Sequence, residues 1–133
     1  MIFLNVEDII DFHTEVVNEF GGSHGIRDMG LLISAVEMPK ATMFGQDLHL
    51  SIFDKAAAYL YHIICNHPFI DGNKRTGIAS TLTFLELNQL IIPFDSFELE
   101  ELTVQVAKGE VKKEEIARFF EKCFESKFTT KDI

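Results

Sequence analysis

Residues 51–88 read SIFDKAAAYLYHIICNHPFIDGNKRTGIASTLTFLELN, two helical stretches around a polar loop. Ile52, Phe53, Ala56, Tyr59, Leu60, Ile63 and Ile64 recur at helical intervals and form one almost wholly apolar face. Ser51 stands where an N-cap belongs, and the alanines at 56–58 let a neighbouring helix approach closely. A helix with such a face is predicted to be central. It ends near Asn66, because the residue before Pro68 is pushed out of helical angles. The second helix is predicted from Asn73 or Lys74 to about Asn88, with Ile78, Leu82, Leu85 and Phe84 turned inward.

Outward from this pair the spacing stays helical. Asn5 is a candidate N-cap for a helix carrying Val6, Ile9, Ile10, His13, Val16, Val17 and Phe20, which Gly21 and Gly22 stop. Asp28 can cap a helix reaching about Met38, with Pro39 at a natural break. Residues 40–50 read as a loop with a short extended flap. Leu90–Phe94 is too short for a helix and is expected as a small strand beside Ile2–Leu4. Asp95, with Glu98 three residues on, can cap a helix to about Ala107, and a last helix spans about Lys112–Phe124 before a frayed tail.

The 133-residue length suits one domain covering 1–133, with no linker, repeat or low-complexity run to divide it. Hydrophobic residues at 47% and charged ones at 25% are ordinary globular usage. Twenty-one acidic against twelve basic residues give a net charge of −9, which argues against nucleic acid as a partner. No apolar run is long enough to span a membrane, and no signal-peptide pattern opens the chain, so a cytoplasmic location is expected. Cys65 and Cys123 form no paired motif and read as small core residues. The thirteen phenylalanines also read as core, with Phe119, Phe120, Phe124 and Phe128 as an alternative partner surface.

The loop between the two central helices holds the chemistry: His67-Pro68-Phe69-Ile70-Asp71-Gly72-Asn73-Lys74-Arg75-Thr76-Gly77. Lys74 and Arg75 fall on the first turn of a helix, where the dipole already favours negative charge, so an anion is needed to receive them. The amides of residues 73–76 would point the same way and make an anion cradle, with Gly72 allowing close approach. Asn73 can orient a phosphate or fix the loop through its side chain. His67 can act as general base near neutral pH, and Asp71 is a hard oxygen ligand for Mg²⁺. Lys74 and Arg75 would hold phosphate oxygens and stabilise transition-state charge. His13 and His62 read as hydrogen-bonded core residues, while His24 and His49 are loop residues with no evident partner.

The segment resembles the signature of the Fic family, His-x-Phe-x-[Asp/Glu]-[Gly/Ala]-Asn-x-Arg, with every fixed position present. Gly25–Asp28, Phe44–Leu48 and Ala56–Ile64 are similar to its death-on-curing members, so the likeness covers roughly residues 20–90. The resemblance implies an all-α Fic-type bundle of about six helices with at most a minor β element. It implies His67 as base, Asp71 as Mg²⁺ ligand, Arg75 on the phosphates, and ATP or another nucleoside triphosphate as donor. Most adenylyltransferases of the family have Gly where Lys74 stands, whereas death-on-curing toxins have Lys there and are thought to transfer the γ-phosphoryl group. The resemblance therefore implies a protein Ser/Thr kinase acting as a toxin, with a translation elongation factor as target and a cognate antitoxin as partner. An adenylyltransferase and a catalytically silent interaction module are the alternatives. Self-inhibited members carry [Ser/Thr]-x-x-x-Glu-[Gly/Asn]; Ser96–Glu100 matches only in part, because Glu101 follows, and reads as capping and surface charge.

Overall fold

The computed structural model describes residues 1–129. Six helices account for most of it: α1 (Val6–Phe20), α2 (Met29–Glu37), α3 (Ile52–Asn66), α4 (Asn73–Leu87), α5 (Ser96–Ala107) and α6 (Lys113–Thr129). The all-α expectation holds. The β structure is one antiparallel pair, β1 (Thr42–Met43) and β2 (Gln46–Asp47), in the predicted flap. Phe44 and Gly45 turn it with φ of 52° and 77°, the positive angles that a two-residue hairpin of right-handed twist requires.

The caps follow the sequence. Asn5 and Asp8 exchange side-chain-to-amide bonds of 2.8 and 2.9 Å at the start of α1, and Ser51 and Asp54 do the same for α3. Asp28 accepts from Leu31 N–H at 2.9 Å and Asp95 from Glu98 N–H at 3.0 Å. After α2 the chain tightens into a 3-10 turn, Met38–Lys40, which holds Pro39.

α3 is the central helix, packed against α2, α4, α5 and α6. Ala56, Ala57, Ala58, Tyr59, Leu60 and Ile63 on it are fully buried. α4 lies so close that a Cβ built on Gly77 would sit 3.3 Å from both Leu60 and Ile64 side chains. The buried Lys55 breaks the apolar pattern: its ammonium donates to Asp47 at 3.2 Å, to the Leu50 carbonyl at 3.3 Å and to the His49 carbonyl. It thereby ties the flap to the first turn of α3.

Several expectations are corrected. No strand forms at residues 90–94: Pro93 lacks an amide donor, and the backbone of Ile2 pairs instead with the Asn88 side chain at 2.8 and 2.9 Å. Cys65 is exposed rather than core, since α3 turns it away from Ile63 and Ile64. Phe20 is 54% exposed at the end of α1. α6 continues past Phe124, where the tail was expected to fray, and residues 130–133 lie outside the described residues. Phe120 is buried and Phe119 and Phe124 are partly buried against the core; the Phe128 side chain lies outside the described residues. Among the described residues, no helix is long and apolar enough to cross a membrane.

His49, expected to lack a partner, is buried and meets α6. The Lys113 ammonium donates to Nε2 of His49 at 3.0 Å and of His62 at 3.1 Å, 5.7 Å above the Tyr61 ring. Both imidazoles must be neutral to accept. Burial, and secondarily the Lys113 charge, push the His62 pKa down to about 4, and the same causes lower that of His49. In the unfolded chain these rings take up protons near pH ~6.5, so the folded state loses stability as the solution is acidified below that point. We expect the urea midpoint to fall between about pH 6.5 and about pH 5, where carboxylates stay largely ionised, and His62→Gln to remove much of that slope. A midpoint flat over this range would show that the α3–α6 contact does not depend on neutral histidines.

Candidate active site

The loop between α3 and α4 comprises residues 67–72. His67 closes α3 in the left-handed region, φ 49° and ψ 54°, which a side chain adopts only when neighbours hold it there. Arg27 does so: its Nε donates to the His67 carbonyl at 2.6 Å and its Nη2 to the Asn66 carbonyl at 2.8 Å. A cation on the carbonyl end of a helix also complements the dipole. The backbone of the same segment continues the brace, with Arg27 and Asp28 amides on the Pro68 carbonyl at 2.7 and 3.0 Å. Ile70 N–H returns to the Gly25 carbonyl at 3.1 Å. Sequence reading explained Asp28 as an N-cap, which it is, but gave Arg27 no role. The signal was only its place in the Gly25–Asp28 segment.

Asn73 is buried, and its side chain pairs with Phe69, accepting from the amide and donating to the carbonyl at 3.0 Å each. Of the two roles open to it, the side chain takes that of fixing the loop, while its backbone N–H stays open at the start of α4. Asp71 is held by two amides: Oδ1 accepts from Gly72 N–H at 2.9 Å and Oδ2 from Ser23 N–H at 3.2 Å. Gly22 leaves the room for this, since a Cβ there would stand 2.7 Å from Oδ2. Ser23 carried no sequence signal, because a backbone donor leaves no trace in residue type.

α4 starts differently from the helices around it. Side chains cap α1, α2, α3 and α5, but the N-cap of α4 is Gly72, at φ 78°, with no side chain to offer. The first intrahelical bond is Thr76 N–H to the Gly72 carbonyl at 3.0 Å, so the amides of Asn73, Lys74 and Arg75 remain open in the first turn. Lys74 and Arg75 are exposed. The ion pairs among the described residues are Lys40–Glu37 and Lys55–Asp47, so neither cation is neutralised by a carboxylate. The Arg75 guanidinium instead lies 4.2 Å from the Phe20 ring centroid.

Two cavities meet at this helix end. The larger, about 500 Å³, is lined by Phe20, Gly22, residues 71–75, Ile78 and, from α5, Glu100 and Val104. The smaller, about 90 Å³, is lined by Ile64, His67, residues 71–74 and Ala107. Asp71, Gly72, Asn73 and Lys74 therefore border both, whereas His67 faces the smaller and Arg75 the larger. The predicted residues thus converge, except that Glu100 forms part of a cavity wall where sequence reading placed open surface.

No group of three or more His, Cys, Asp or Glu side chains among the described residues could cage a metal. Asp71, held by the Gly72 and Ser23 amides, and Glu100 are the carboxylates that line the larger cavity. That fits Mg²⁺, which takes one or two protein carboxylates and completes its shell with water and phosphate oxygens.

The profile of the Fic/DOC family matches residues 3–85. A protein named Toxin Doc from Mycolicibacterium smegmatis is 41% identical over 117 residues, 86% of this chain and 88% of that protein. A protein named Protein kinase doc from Escherichia phage P1 is 32% identical over 117 residues, 88% of this chain and 91% of the relative.

Because Asn73 satisfies both polar groups of a buried Phe69, Asn73→Ala should strand a donor and an acceptor and lower stability by about 2–4 kcal/mol. Urea unfolding of the two proteins measures this directly. A loss below about 0.5 kcal/mol would mean that the Gly25–Asp28 brace holds the loop by itself.

Proposed function

We propose a function from one premise: the chain belongs to the Fic/DOC family. In this reading it is a toxin that transfers the γ-phosphoryl group of ATP, or another nucleoside triphosphate, to a Ser or Thr hydroxyl of a protein. The observation that carries it is the bare, doubly cationic N-terminus of α4 beside an exposed His67. The 32%-identical relative is named a protein kinase and the 41%-identical one a toxin, which supports the same reading.

The triphosphate would occupy the larger cavity, its oxygens on the amides of residues 73–75 and on Lys74 and Arg75. Arg75 can swing from the Phe20 ring to meet them, and its planar fork suits two phosphate oxygens at once. Asp71 and the phosphates would hold Mg²⁺, which neutralises phosphate charge. The acceptor hydroxyl would enter the His67 compartment. His67 takes its proton as the hydroxyl oxygen bonds to the γ-phosphorus, and the bond from that phosphorus to the β–γ bridging oxygen breaks, releasing the nucleoside diphosphate. Lys74, where most adenylyltransferases of the resembled family have glycine, supports kinase over adenylyl transfer.

The family resemblance supplies the expected partners, a translation elongation factor as target and an antitoxin as inhibitor. A cytoplasmic location goes with them. A net charge of −9 fits a protein rather than nucleic acid partner.

The test uses ATP labelled separately at the α- and γ-phosphates, with Mg²⁺ and a bacterial lysate. We expect label only from the γ-position, reduced about 10²–10⁴-fold in His67→Ala. Lys74→Gly should weaken phosphoryl transfer and open the way to adenylyl transfer. Label from the α-position in the unaltered protein would make it an adenylyltransferase, and no label from either would favour an interaction module.

A further inference from the structure

One side chain touches the loop from α1 and has no place in the roles above. His13 is buried, at 3% exposure, and lies flat on Phe69 with ring centroids 3.9 Å apart and planes 5° from parallel. Its Nε2 is 2.8 Å from the carbonyl oxygen of Asp71. A carbonyl only accepts, so Nε2 carries the proton. A phenylalanine could stack in the same place without a polar atom to satisfy, so the imidazole is explained by its donor.

The peptide it holds is the one between Asp71 and Gly72. The other face of that peptide is held as well, since Gly72 N–H donates to Oδ1 of Asp71 at 2.9 Å while Oδ2 accepts from Ser23 N–H at 3.2 Å. Gly72 has φ 78° and no Cβ, so little steric resistance opposes rotation of this peptide. Turned over, it would aim its carbonyl oxygen at the carboxylate that its N–H now holds. Oxygen would face oxygen, and Asp71 would be driven from Ser23. The start of α4 would move with it, because Gly72 is its N-cap.

We propose that His13 is a positioning residue: it locks the Asp71–Gly72 peptide in one orientation and thereby fixes the Asp71 carboxylate and the open end of α4. The consequence for transfer rests on the phosphoryl-transfer reading above; the lock itself does not.

Two variants of the full chain separate the donor from the ring. His13→Phe keeps a flat ring against Phe69 and has no donor. His13→Gln places an amide N–H close to where Nε2 lies and has no ring. Amide exchange at Ser23 and Gly72 without nucleotide, the thermal midpoint, and steady-state transfer are measured for each.

In His13→Phe we expect both amides to exchange about tenfold faster and kcat to fall about 10–100-fold, with KM for the acceptor protein changed less than about threefold. His13→Gln should restore amide protection and most of kcat. Unchanged protection at Ser23 and Gly72 in folded His13→Phe overturns the lock. So does a His13→Gln protein that melts like the unaltered chain yet exchanges as fast as His13→Phe. If His13→Phe does not fold, His13→Gln decides by the same criterion. If the unaltered chain transfers no label, the phosphoryl-transfer reading fails while amide exchange still judges the lock.

Discussion

The arrangement of this molecule around its loop follows from one requirement: α4 must begin with open amides. A side-chain cap typically contributes about 1 kcal/mol to a helix, and α4 does without one. Its first turn has to be fixed by other means. Asn73 closes the loop onto Phe69, Arg27 grips the carbonyl end of α3, and the backbone of residues 25–28 supports Pro68 and Ile70. All of these bonds leave the cavity side of α4 free. The left-handed His67 is held by the same contacts, so His67 and the open start of α4 share one support.

Charge follows the same logic. In a chain of net charge −9, the field far from the surface repels anions, and attraction has to be local. Lys74 and Arg75 supply it only because no carboxylate among the described residues pairs with them. Phe20 has a part in this: stacking on its ring gives the guanidinium a resting place that leaves its charge uncompensated. Its exposure, at odds with a core reading of the phenylalanines, has that explanation. Glu100 adds a negative group to the wall of the larger cavity, which Lys74 and Arg75 also line.

Helix order, the caps at Asn5, Asp28, Ser51 and Asp95, the flap and the converging loop were all legible in the sequence. Each depends on residues within a few positions of one another, where spacing and capping chemistry act. The unread features join distant segments. Arg27 meets residues forty positions away, Ser23 acts through its backbone, and His49 and His62 meet on an ammonium from α6. His13 was legible as a buried, hydrogen-bonded residue, but its partner was not. The expected strand at 90–94 failed for the opposite reason. Length and apolarity favoured it locally, yet Pro93 and the Asn88 side chain removed both the donor and the need.

The position between Asn73 and Arg75 joins the geometry to the chemistry. Lys74 borders both the compartment of His67 and the larger cavity, as do Asp71, Gly72 and Asn73. In the proposed function a lysine there places a cation beside both cavities, which would suit the small, highly charged end of a triphosphate. In the same reading a glycine there would leave more room for an α-phosphate and its nucleoside beside His67. On the proposed function the same cradle would serve either end of the nucleotide, with the side chain at 74 deciding which end reaches His67.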